Sequence, residues 1–159
     1  MFNFLQENKI MDMVGLEAKV QSMQEKQFDI RDKLKSAERR LKTLDEHIRQ
    51  VEMHQQYKAV YRQYQEQKPK KKAAFAEQHR GEIALFESAE RYLKGVMNGK
   101  TTLPIKTWKV EHAKLTAEQN RLRQEYTLLK MEVREVEQIK QSVRGMLREK
   151  RRVHLETER

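Results

Sequence analysis

Tyr57, Tyr61 and Tyr64 recur at i, i+4 and i+7 in the stretch YKAVYRQYQEQKPKKKAAFAEQH, residues 57–79, directly ahead of four lysines interrupted by one proline. Side chains at this spacing share one face of a helix. A phenol oxygen is a competent nucleophile for DNA strand transfer when a divalent metal polarises the phosphate it attacks. The metal has no visible ligands. The histidines are His47, His54, His79, His112 and His154, and no two are separated by one, three or four positions, so neither a strand nor a helix seeds a histidine metal site. There is no cysteine, which removes thiol chemistry, disulfides and cysteine-ligated metals and suits a reducing compartment. The expectation is no catalytic residue, no metal and no cofactor, with the tyrosines packing against neighbouring helices. The chain also lacks a Gly-rich phosphate loop and a G-x-S-x-G elbow, and its carboxylates are interleaved with bases at helical spacing, a pattern of surface ion pairs.

Charge is the second candidate chemistry. The net charge is +10, and two short runs supply most of it: Lys68, Lys70, Lys71 and Lys72 give +4, and REKRR at 148–152 gives +3. Lys68, Lys70, Lys71, Lys72, Arg80, Arg148, Lys150, Arg151 and Arg152 are therefore the candidate DNA contacts. They would hold phosphates largely without regard to base sequence, with the tyrosines and Phe75 near enough to stack on exposed bases. The same runs can equally be solvated helix boundaries kept soluble by their charge.

These side chains need long helices to position them. Charged residues make up 36% of the 159 residues and hydrophobic ones 37%, with five glycines and two prolines, a composition suited to long helices with a narrow apolar seam. From Leu16 the apolar positions run Leu16, Val20, Met23, then past Gln27 to Ile30, Leu34, Ala37, Leu41, Leu44, Ile48 and Val51 in alternating steps of four and three, a heptad seam. The phase then slips and resumes as Met53, Tyr57, Val60 and Tyr64. Pro69 ends this helix, because its ring pushes Lys68 out of helical geometry and it offers no N–H. Two short helices are expected next, over 71–80 and, after a bend at Gly81, through EIALFESAERYLKGVM. Asn98 and Gly99 suit a left-handed cap, and Pro104 suits the start of another helix. In the last segment Leu115, Leu122, Leu129, Val136 and Val143 lie seven apart, with Trp108, Gln119, Tyr126, Val133, Lys140 and Leu147 in the other seam position.

The expected fold is all-α: two long heptad-patterned helices forming an antiparallel coiled-coil hairpin, with a small two-helix cap at its tip. The divisions are a short N-terminal helix over 1–12 that exposes Phe2, Phe4 and Leu5, long helix one over 13–67, a basic turn with two cap helices over 68–103, long helix two over 104–150, and a basic, polar tail over 151–159. The hairpin is favoured over pairing of each seam with a second chain, which would give a homodimer. In the hairpin KPKKK lies at the tip and REKRR at the other end, so the two runs cannot form one patch. No window approaches the roughly 18 apolar residues of a membrane span, and the N-terminus lacks the features of a secretory signal. A cytoplasmic location is expected.

The order of segments adds something that periodicity does not. FNFLQEN, LKSAERRLKTLDEHI, YKAVYRQYQ, KKAAFAEQHRGEIALFESAERYL, LP and a final helix together resemble the C-terminal helical region of relaxases, the bacterial mobilisation nucleases of conjugative and mobilisable plasmids and transposons. The resemblance covers about residues 2–147, and its most specific part is the ordered set Tyr57, Tyr61, Lys72, Phe75, His79, Ile83, Ala89, Leu103 and Pro104. Relaxases cut one strand at the transfer origin with a tyrosine and a histidine-held metal in an N-terminal domain whose histidine motif does not occur here. What the resemblance implies is a non-catalytic arm that helps hold transfer-origin DNA, or that docks the relaxase nuclease domain and accessory or coupling proteins. The chain departs from the family in QKPKKK and after Gly145. The alternative is an independent coiled-coil structural or protein-interaction module with no nucleic-acid role.

Overall fold

The computed structural model describes residues 13–157. The expected N-terminal helix over 1–12, with Phe2, Phe4 and Leu5, lies outside the described residues. The rest is all-α, with no strand among the described residues: α1 spans Met13–Glu66, α2 Pro69–Gln78, α3 Arg80–Met97 and α4 Ile105–Thr157.

The breaks fall where local chemistry requires them. Lys68 takes φ −63° and ψ 149°, the extended conformation forced on a residue before proline, and Pro69 opens α2, where its missing N–H costs nothing. The carbonyl of Lys68 accepts from the N–H of Lys71 at 2.8 Å and of Lys72 at 3.0 Å, which starts the new helix. The next break is at His79, φ −116° and ψ 27°, and Gly81 lies inside α3, so the bend comes two positions earlier than the glycine suggests. Asn98 (φ 45°) and Gly99 (φ 86°) both adopt left-handed conformations and close α3. Pro104 stands just before α4, and its carbonyl accepts from the N–H of Trp108 at 3.0 Å. Beyond 150 the helix continues to Thr157 through residues expected to be a tail. No proline or glycine follows Gly145 to stop it, and Arg152 bridges Glu149 at 3.4 Å and Glu156 at 3.9 Å along its surface.

The described chain forms two compact units. One comprises described residues 13–36 and 118–157. Its core is Leu16, Val20, Met23, Val136 and Ile139, flanked by Met13, Leu129, Val133 and Val143. Burying each large side chain contributes about 1.5–3 kcal/mol before chain entropy is offset. At its surface Arg144 reaches Glu17 at 3.4 Å, and Arg31 donates to the Tyr126 hydroxyl at 3.0 Å with its guanidinium over that ring. The seam of α4 departs here from the strict heptad. Ile139 is fully buried while its neighbour Lys140 is half-buried, and Leu147 is exposed. A helix of 3.6 residues per turn drifts by about 20° per heptad, enough to carry Ile139 into the seam that counting by sevens assigns to Lys140.

The second unit comprises residues 37–117. Its core joins Leu44 and Val51 of α1 to Leu93 of α3 and Trp108 of α4, with Ile48, Tyr92, Val96, Leu103, Ile105 and Leu115 packed around them. α3 buries Ile83, Phe86, Ala89 and Leu93, spaced 3, 3 and 4 along one face. Two polar side chains are also buried in this unit, His47 and Gln50.

Candidate nucleic-acid interface

Tyr61 and Tyr64 of the opening stretch are packing residues. Tyr61 stacks on Phe86 with ring centroids 4.3 Å apart, and His54 stacks on the same phenylalanine at 4.4 Å. Tyr64 lies 6.0 Å from Tyr61 and 6.5 Å from Phe75, which in turn meets His79 at 4.4 Å. This succession of rings joins α1 to α2 and α3, and explains why aromatic residues at helical spacing precede the proline. Tyr57 is half-buried on the same helix. Among the described residues no group of three carboxylate or histidine side chains is arranged to hold a metal.

The histidines take structural partners. His47 Nδ1 lies 2.8 Å from the Tyr92 hydroxyl, and its ring is 4.7 Å from that of Trp108. Burial, helped by the nearby Arg40 charge, holds the His47 imidazole below its ordinary pKa, and burial raises that of the Tyr92 hydroxyl. Arg40 forks onto Glu111, with Nε donating at 2.6 Å and Nη2 at 3.0 Å. This pairing raises the arginine pKa and lowers that of the carboxylate. His112 Nε2 meets Asp45 at 2.7 Å. Gln50 donates to Glu46 at 2.7 Å, while its own carbonyl oxygen is buried without a partner among the described residues.

The basic candidates have different surroundings. Lys68, Lys70 and Lys71 are exposed at the start of α2, Lys72 lies with Nζ 5.1 Å from the Tyr64 ring centroid, and Arg80 is exposed at the start of α3. None of these five is within ion-pair distance of a carboxylate among the described residues, and the first turn of α2 contains no acidic residue. The positive end of a helix therefore carries a cluster of cations that repels it, a combination relieved by a bound anion. Arg148, Lys150, Arg151 and Arg152 belong to the other unit, all exposed on α4. Arg152 is engaged by Glu149 and Glu156, whereas Arg148, Lys150 and Arg151 have no such partner among the described residues.

Sequence reasoning passed over a third basic feature. Lys58, Tyr61, Arg62 and Gln65 of α1 face Glu90 and Lys94 of α3 across a groove of about 430 Å³. The like-charged i,i+4 pair Lys58 and Arg62 was the available signal, but its meaning depends on Lys94, which only folding brings near. No helix among the described residues is long and apolar enough to cross a membrane. No protein-family model matches this chain, and it shows no significant similarity to a curated protein or to a solved structure.

Proposed function

We propose that this chain is a non-catalytic helical arm of a relaxase-type mobilisation protein, acting in the cytoplasm to hold the phosphate backbone of transfer-origin DNA and to dock partner proteins there. The observation that carries the DNA reading is the uncompensated lysine cluster at the N-terminus of α2. Within the molecule these charges oppose both one another and the helix dipole, so their clustering is unfavourable until a polyanion neutralises them. The mobilisation context rests on the resemblance of the ordered segments between residues 2 and 147.

An antiparallel coiled-coil arrangement goes with this reading, and the contacts inside each unit support it. In one, Glu17 pairs with Arg144 and Arg31 with Tyr126; in the other, Arg40 pairs with Glu111 and Asp45 with His112. A different observation favours the alternative, a protein-interaction module: Phe28, Leu128 and Met131 are 70%, 62% and 62% exposed and would be covered in a complex or homodimer.

Fluorescence anisotropy with random-sequence single- and double-stranded oligonucleotides at low salt tests the DNA reading. Binding in the range of roughly 10⁻⁴ to 10⁻⁶ M that weakens steeply as salt is added is the expected result. Absence of binding at low salt leaves the protein-interaction module, whose self-association sedimentation equilibrium would reveal.

A further inference from the structure

We propose that the groove between α1 and α3 in the unit of residues 37–117 is a phosphate-binding site for the backbone of a nucleic-acid strand, separate from the lysine run. It deepens the DNA-binding reading and rests on it. Lys58 and Arg62 stand one helical turn apart on α1, and Lys94 faces them from α3. Lys58 and Arg62 have no carboxylate within ion-pair distance among the described residues, so no close ion pair offsets their i,i+4 repulsion, and Glu90 is the carboxylate that lines the groove with them. Lys94 is only loosely engaged, at 4.0 Å from Glu90. Tyr61 and Gln65 line the same groove, and neither has a side-chain hydrogen-bond partner among the described residues.

Three cations and two neutral side chains able to donate thus line one groove with a single carboxylate, Glu90. Arginine supplies a planar fork matched to phosphate oxygens, and the lysines supply point charges. The aromatic floor does not serve base stacking, because Phe86 is already sandwiched between His54 and Tyr61. The ligand fitted to this chemistry is therefore the phosphodiester and not the base, and little sequence preference follows.

The test compares the full chain with Lys58→Gln/Arg62→Gln, and with Lys94→Gln on the facing wall, in binding a labelled single-stranded oligonucleotide across a salt series. Circular dichroism checks that helicity is retained; these are exposed side chains whose loss leaves the core intact. We expect the double variant to bind about tenfold more weakly at low salt and to lower the slope of log affinity against log salt by about 1.4, about 0.7 for each lost contact. Lys94→Gln should move both quantities in the same direction. If the wild type binds and the double variant matches it, the groove is overturned while the DNA reading stands. If the wild type does not bind at all, both fall. Displacement of the oligonucleotide by poly-glutamate at equal charge concentration would also overturn the proposal, assigning the groove to acidic protein segments.

Discussion

Replacing Lys68, Lys70, Lys71 and Lys72 together with glutamine tests the lysine cluster at the start of α2. Three of the four are exposed, and Lys72 is partly committed to the Tyr64 ring, so we count three side chains as free to meet phosphates. On double-stranded DNA each phosphate contact contributes about 0.9 to the slope of log affinity against log salt, so the substitution should reduce the slope by about 2.7. Between 50 and 200 mM salt, a span of about 0.6 log units, the wild type should then lose about 40-fold more affinity than the variant. Anisotropy titrations over at least four salt concentrations provide the slope, and circular dichroism shows whether α2 persists. Helicity should hold or rise, because the substitution removes cations from the positive end of a helix. A slope unchanged within about 0.5 would refute the assignment of phosphate contacts to this run.

Other consequences concern the fold that positions these charges. Ile139→Ala should cost about 2–5 kcal/mol in urea unfolding, while Lys140→Ala stays within about 0.5 kcal/mol; equal costs would restore the strict heptad seam. Because burial lowers the His47 pKa in the folded state, its contribution to stability is complete above its unfolded pKa of about 6.5 and is lost as pH falls through that value towards the folded one. The urea midpoint of the wild type should therefore fall more than that of His47→Gln between about pH 7.5 and about 5.5, and parallel profiles would contradict this. Asn98 holds φ 45°, so Asn98→Val should destabilise by about 1–2 kcal/mol and Asn98→Gly should not; calorimetric scans that rank them otherwise would show that the left-handed cap does not limit stability.

Much of the secondary structure could be read directly from residue order. The seam from Leu16 to Val51, the stop before Pro69, the cap at Asn98 and Gly99 and the restart after Pro104 all depend on local geometry: side-chain period, a missing N–H, or tolerance of positive φ. The misplacements have local causes too. The bend falls at His79 although glycine is the usual marker, and α4 runs through 151–157 because nothing stops it and Arg152 pairs along its own surface.

The basic runs at 68–72 and 148–152 were equally plain in the sequence, since a cluster of adjacent charges is a property of the chain itself. Tertiary structure decided which charges have counter-ions and which side chains share a space. It gave Arg40 to Glu111 and His47 to Tyr92, buried Ile139 beside a half-exposed Lys140, and set Lys94 opposite Lys58 and Arg62. Each of these outcomes depends on the rotation and register of one helix against another. A drift of about 20° per heptad suffices to change them, and residue spacing along a single helix does not contain that information.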